Sequence, residues 1–187
     1  MAFDYPIMLD LRGVSVVVVG AGRVAARKVE GLVRAGAEVT VVAPEVDDAV
    51  SAIASTVIAR RYRSSDLDGA KLVITATNDT AVNAAVAADA TARGVWVNSA
   101  DDPVNCTFTL PAVARDGAVT VAVGTGGSSP ALASHLREEI ERWLAAIGAA
   151  DAAVALASQR AEMKQRGEST ESIDWSDRVR EALREQP

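Results

Sequence analysis

Between a run of valines and a helical pattern stands Gly20-Ala21-Gly22-Arg23-Val24-Ala25, a G-x-G-x-x-A signature. The chemistry it suits is the binding of a dinucleotide. The first glycine permits the tight turn, the second lets a pyrophosphate approach the backbone, and Ala25 allows close strand–helix packing. Free N–H groups at the helix start then face the phosphates. The same residues also fit a plain strand–helix turn. Recognition of the adenosine ribose commonly falls to an acid at the tip of the second strand, and here that tip reads Ala43-Pro44-Glu45. Glu45 either reaches the ribose or serves as the acidic first turn of the next helix. No Lys or Arg stands beside it in the sequence, which favours NAD over NADP.

Two further stretches could carry chemistry. Asn98-Ser99-Ala100-Asp101-Asp102-Pro103 follows an apolar run, and a carboxylate there could accept a proton as hydride leaves a substrate carbon. An Asp-Asp-Pro turn explains the same residues. In Gly124–Pro130, "GTGGSSP", Ser129 suits an N-cap and Pro130 a first helical residue. The preceding Thr125, Gly126, Gly127 and Ser128 either bind an anion such as a carboxylate or form a flexible link. His135 shares a face with Glu139 and Arg142 and reads as a solvated surface residue. Cys106 reads as a small apolar residue. With one cysteine and one histidine in the chain, no disulfide, cysteine cage or His-rich metal site is expected.

The elements that must position these residues follow a regular rhythm. Val14–Val19, Val39–Val42, "TVIARRY", "KLVITAT" and "VWVN" read as strands, the apolar β-branched ones as strands buried on both faces. Arg23–Arg34, "DDAVSAIAS" and Asp79–Arg93 read as helices between them. That alternation predicts an α/β fold, a Rossmann-like doubly wound parallel sheet with its ligand at the carboxyl ends of the strands. The rhythm then breaks. "CTFTL" and "AVTVAVG" read as strands joined by "PAVARDG", opening a small antiparallel unit, and Pro130–Ile147 reads as an amphipathic helix. Its stripe of Leu132, Leu136, Ile140, Trp143, Leu144 and Ile147 is expected to be buried, partly against a second chain. An Ala-rich helix and a charged tail with Trp175 follow. The expected organisation is a cofactor domain over 1–112, a small α+β dimerisation region over 113–147 and a helical C-terminal region over 148–187.

Composition narrows the partners. The 187 residues are 49% hydrophobic and 24% charged, enough apolar mass for a sizeable core. A formal charge of −6 and no Lys/Arg run longer than two argue against a nucleic-acid surface. The opening "MAFDYPIMLDLRG" has no basic segment before an apolar core, and no apolar run approaches the roughly 20 residues of a membrane helix. The expectation is a cytoplasmic protein that does not enter membranes.

Taken together, "YPIMLDLRGVSVVVVGAGRVAARKVEGLVRAGAEVTVVAPE", "ITATND", "VNSADDPVNCTFTLPAVARDG" and "VAVGTGGSSPALASHLREEIE" resemble the precorrin-2 dehydrogenase family, equivalent to the N-terminal module of siroheme synthase. The resemblance spans roughly residues 5 to 142. It implies NAD-dependent oxidation of the tetrapyrrole precorrin-2 to sirohydrochlorin, and a homodimer. It places Arg23-Val24 and Pro44-Glu45 on NAD, Thr77-Asn78 and Asn98 near the nicotinamide and substrate, and the Thr125–Ser128 loop on substrate. Asp101 matches the family's proposed general base. Thr125 falls where some bacterial members carry a phosphorylated serine. Some members also insert Fe²⁺, which would make iron a second substrate. A module that only senses NAD is the non-enzymatic alternative, and it has no use for Asp101 or "GTGGSSP".

Overall fold

The computed structural model describes residues 5–100 and 102–183. The expected base Asp101 therefore lies outside the described residues. The chain divides into two compact units, one ending at Leu110 and the other beginning at Pro111.

In the first unit, β1 (Ser15–Val19), β2 (Glu38–Val42), β3 (Thr56–Ile58), β4 (Leu72–Thr75) and β5 (Trp96–Ser99) form one sheet in the order β3-β2-β1-β4-β5. Every pairing is parallel. The helices are α1 (Arg23–Arg34), a single turn α2 (Asp48–Ser51) and α3 (Thr80–Arg93). This is the Rossmann-like, doubly wound arrangement anticipated from the strand rhythm. The valines of β1 explain it. Val16 and Val18 pack with Val29, Leu32, Val39 and Val41 on one face, while Val17 and Val19 pack with Val73, Val86 and Val97 on the other. A strand buried on both faces has no place for a polar residue, which is why its sequence shows no alternation.

Because the strands are parallel, Val19, Val42, Thr75 and Ser99 end on one edge of the sheet. From β1 the chain builds outward to β2 and β3, then crosses to β4 and β5 on the other side, and this switch opens a crevice at the carboxyl ends of β1 and β4. Helix α3 starts where Asp79 accepts hydrogen bonds from Ala81 and Val82 N–H, and stops at Gly94 with φ 66°.

The second unit contains the hairpin β6 (Ala112–Asp116) and β7 (Val119–Val123), then α4 (Pro130–Ile147), α5 (Ala149–Gln165) and α6 (Ser176–Ala182). The sequence reading of "CTFTL" as a strand is corrected here, since the partner of β7 lies inside the supposed connection "PAVARDG". Asp116 and Val119 pair across a two-residue turn in which Gly117 takes φ 55°. Thr107, within "CTFTL", instead lies along the outer edge of β5. Its N–H donates to the Val97 carbonyl and its hydroxyl accepts from Val97 N–H, both at 2.8 Å. A side chain thus replaces a ladder bond, and the segment covers an edge without being a strand. Helix α4 has the expected bounds, with the Ser129 hydroxyl as its N-cap. Of its apolar stripe, Leu144 is buried, Ile140 and Ile147 are half-buried, and Leu132, Leu136 and Trp143 are exposed within the single chain. No helix among the described residues is long and apolar enough to cross a membrane.

Candidate dinucleotide site

The crevice is built on the turn between β1 and α1. Gly20 has φ 107°, and a Cβ there would lie 2.5 Å from the Ala76 carbonyl oxygen. It must be glycine for contact with the chain leaving β4, besides the turn. Gly22 is different. Its φ is −85°, and a Cβ added there would meet no atom within 4 Å. The space over it is open. Gly22 is also the N-cap of α1, with no side-chain cap and no acidic residue in the first turn. The first intrahelical bond of the turn is Ala26 N–H to the Gly22 carbonyl, so the N–H groups of Arg23, Val24 and Ala25 precede the helical ladder. Open space beside uncapped amides at the positive end of a helix is the environment a pyrophosphate needs. Arg23 and Val24 are exposed, whereas Ala25 is fully buried against the sheet.

Pro44 and Glu45 follow β2 on the same edge and are exposed. Asp47 N–H donates to the Ala21 carbonyl at 3.3 Å, tying the chain after β2 to the glycine turn. No Lys or Arg adjoins Glu45 along the chain, but the sheet brings two arginines beside the tip of β2. Ala43 N–H bonds to the Ile58 carbonyl, so the end of β3, with Arg60 and Arg61 just beyond it, lies beside the tip of β2. Arg60 makes a two-pronged bond to Asp66 at 2.5 and 2.8 Å. The guanidinium holds the Asp66 carboxyl below its usual range, chiefly through that hydrogen bond. Arg61 is exposed.

Thr77 and Asn78 follow β4. Asn78 is exposed, and the Thr77 hydroxyl is occupied within the protein, 2.8 Å from Asn83 Oδ1. Asn98, on β5, is buried, and its Nδ2 donates to the Phe108 carbonyl at 3.0 Å. Sequence reasoning missed the part played by Cys106. Its sulfur accepts from Ser99 N–H at 3.1 Å and lies 3.3 Å from the carbonyls of Ser99 and Asp102. Burial, reinforced by the nearby Asp102 carboxylate, pushes the thiol pKa up against the opposing effect of the Ser99 N–H. The thiol thus fastens both ends of the stretch that carries Asp101 in the sequence. Asn105 Nδ2 adds a bond to Asp102 Oδ2 at 2.6 Å.

Thr125, Gly126, Gly127 and Ser128 belong to the second unit, between β7 and α4. Thr125 Oγ1 accepts from Ser129 N–H at 3.2 Å and Ser128 N–H bonds to the Thr125 carbonyl, closing a compact turn before α4. Gly126 and Gly127 both have positive φ, and a Cβ on either would meet nothing within 4 Å. Among the described residues, no three His, Cys, Asp or Glu side chains converge as a metal cage.

The sequence model of the putative NAD(P)-binding family matches residues 7–112, more than half of the chain. The chain belongs to the putative NAD(P)-binding family. A second model, described as sirohaem biosynthesis protein central, matches residues 116–142 of this NAD(P)-binding chain. Siroheme synthase of Pseudomonas entomophila is 45% identical over 146 residues, covering 75% of this chain and 32% of that protein. Siroheme synthase of Methylobacillus flagellatus is 41% identical over 187 residues, covering 97% of this chain and 40% of that one. The chain thus spans about a third of the curated relatives it matches. Among solved structures, "SirC, precorrin-2 dehydrogenase" superposes with a TM-score of 0.70 at 27% identity, covering 95% of this chain and 88% of that one. The resemblance drawn from the sequence stands on these matches.

Proposed function

We propose that this NAD(P)-binding chain is an NAD-dependent dehydrogenase that oxidises precorrin-2 to sirohydrochlorin in siroheme biosynthesis. The observation that carries the reading is the likeness, over 95% of the chain, to a structure titled precorrin-2 dehydrogenase. The open space at Gly22 and the uncapped start of α1 support the cofactor part of it. Bound NAD⁺ supplies the hydride acceptor. The chain's own residues do the rest. Gly22 admits the pyrophosphate, the first amides of α1 with Arg23 and Val24 hold it, and Pro44-Glu45 border the ribose. Thr77 and Asn78 border the nicotinamide end. Asn98 and the Thr125–Ser128 turn are assigned to the carboxylate-bearing tetrapyrrole. Loss of a hydride and a proton from the substrate requires a base as well as a hydride acceptor, and Asp101 is assigned that proton. In this reading residues 1–112 hold cofactor, 113–147 pair two subunits, and 148–187 form a helical C-terminal region.

NAD is favoured over NADP because Glu45 would face a 2′-phosphate and the charge of Arg60 is already committed to Asp66. Asp101→Asn tests the catalytic assignment. It should lower precorrin-2 oxidation by about 10²-fold or more, the usual weight of a general base, and leave NAD⁺ affinity unchanged. Asp102→Asn is the comparison, because Asp102 Oδ2 is held by Asn105. Equal activity in wild type and Asp101→Asn at saturating substrate would remove Asp101 from the mechanism.

A further inference from the structure

Asn83 has no role in the proposed chemistry, yet it is a polar side chain only 5% exposed, at the end of the first turn of α3. Its carboxamide does not serve its own helix. The helix start is already capped by Asp79, which accepts from Ala81 and Val82 N–H. Both ends of the Asn83 amide turn back to one residue before the helix. Oδ1 lies 2.8 Å from the Thr77 hydroxyl, and Nδ2 donates to the Thr77 carbonyl at 3.0 Å. The same hydroxyl accepts from Asp79 N–H at 3.1 Å. Thr77 is thus held at side chain and backbone together.

The held residue adjoins the glycine turn. A Cβ at Gly20 would lie 2.5 Å from the Ala76 carbonyl oxygen and 3.1 Å from Thr77 N, so these backbones are in contact across the crevice. Ala76 N–H also bonds to the Val19 carbonyl at 2.8 Å. We infer that Asn83 is a positioning residue for the dinucleotide, fixing the chain after β4 so that the Thr77–Asn78 side of the crevice keeps its distance from the glycine turn. The inference rests on the cofactor reading above. It also changes what Thr77 contributes. With its hydroxyl engaged by Asn83 and Asp79 and its carbonyl by Asn83, Thr77 acts by where its backbone stands and not as a hydroxyl ligand. Asn83 Nδ2 and Oδ1 find their partners within the protein itself, so the brace needs no contact with cofactor and reduces the ordering cost of binding.

The test uses the full chain, with NAD⁺ affinity read by calorimetry and thermal midpoints recorded beside it. Asn83→Leu, nearly isosteric and unable to make either bond, should raise the NAD⁺ dissociation constant about tenfold, the cost of ordering the Thr77–Asn78 side on binding. Thr77→Val should raise it by a similar factor. The effect of the double variant should fall short of the product of the single ones, because both changes remove the bond between Thr77 Oγ1 and Asn83 Oδ1. Thr91→Val, which removes a hydroxyl bonded to the Ala87 carbonyl farther along α3, should bind as wild type. Unchanged affinity in folded Asn83→Leu, or factors that multiply in the double variant, would overturn the inference. Should Asn83→Leu fail to fold, Asn83→Asp takes its place. It keeps an acceptor for the hydroxyl but sets a carboxylate oxygen against the Thr77 carbonyl, and the same two outcomes decide. Failure of wild type to bind NAD⁺ would overturn the cofactor reading itself. Amide exchange at Thr77 to Asp79 then decides the brace alone: about tenfold faster exchange in the variant supports it, and unchanged exchange overturns it.

Discussion

A methyl group added at Gly20 would sit 2.5 Å from the Ala76 carbonyl oxygen, whereas one added at Gly22 would meet no atom within 4 Å. The two glycines of one motif therefore answer to different demands, and substitution separates them. Gly20→Ala combines a backbone clash with an unfavourable φ and should lower stability by about 2 kcal/mol or more, read in a thermal or urea melt. Gly22→Asp should melt close to wild type yet lose NAD⁺ binding in calorimetry, since its side chain fills open space and repels phosphate. A Gly22→Asp variant that binds NAD⁺ normally would contradict the site. NAD⁺ should also bind more tightly than NADP⁺. The reverse preference would assign the exposed Arg61 to a 2′-phosphate. Cys106 offers a second check at this scale. Burial and Asp102 raise its thiol pKa above the ordinary value of 9.0 despite the Ser99 N–H, so it stays protonated at neutral pH. Iodoacetamide should label it slowly at pH 7.5 in the folded protein and quickly after denaturation. Rapid labelling of native protein would show that the sulfur is not engaged with Ser99 and Asp102.

Among the elements, the segment after β3 is held by Arg60 and Asp66, and its stability should depend on pH. The Asp66 pKa is depressed in the folded state, chiefly by its bond to Arg60, so the carboxylate stabilises the fold above its unfolded value near 3.8. That stabilisation is lost as pH falls through the lower folded value. Asp66→Asn should be less stable than wild type at pH 7, and the difference should shrink on acidification below about pH 4. A difference independent of pH would mean that packing, not charge, is lost. The β1–α1–β2 unit was legible because its signals agree: an apolar run, a glycine turn, a 3.6-residue period and a second apolar run. Helices α1 and α4 kept the bounds expected of them for the same reason. "CTFTL" misled because alternating Thr and Phe satisfy β-propensity while saying nothing of which partner is free. Gly117, the first of the two turn residues Gly117-Ala118, was the overlooked signal for the hairpin. Asn83, Cys106 and Arg60 were not legible as parts of the site. Each acts through a residue that only the folded sheet brings beside it, and spacing along the chain does not encode that.

For the whole molecule, the exposed apolar residues of α4 bear on assembly. Leu132, Leu136 and Trp143 are 48%, 39% and 56% exposed in the single chain, adjoining the buried Leu144 on one stripe. A second copy covering this stripe is the expectation. Sedimentation should show a dimer at micromolar concentration, and Trp143→Glu should shift it to monomer, while a monomeric wild type would remove pairing from the account. Dehydrogenase activity itself can be measured on the intact chain. Purified chain is incubated anaerobically with enzymatically prepared precorrin-2 and NAD⁺, and the tetrapyrrole spectrum and NADH absorbance are followed together. Sirohydrochlorin and NADH should appear in equal amounts, with none of either from Gly22→Asp. NAD⁺ binding without any oxidation of precorrin-2 would contradict the dehydrogenase reading and leave a protein that senses the dinucleotide.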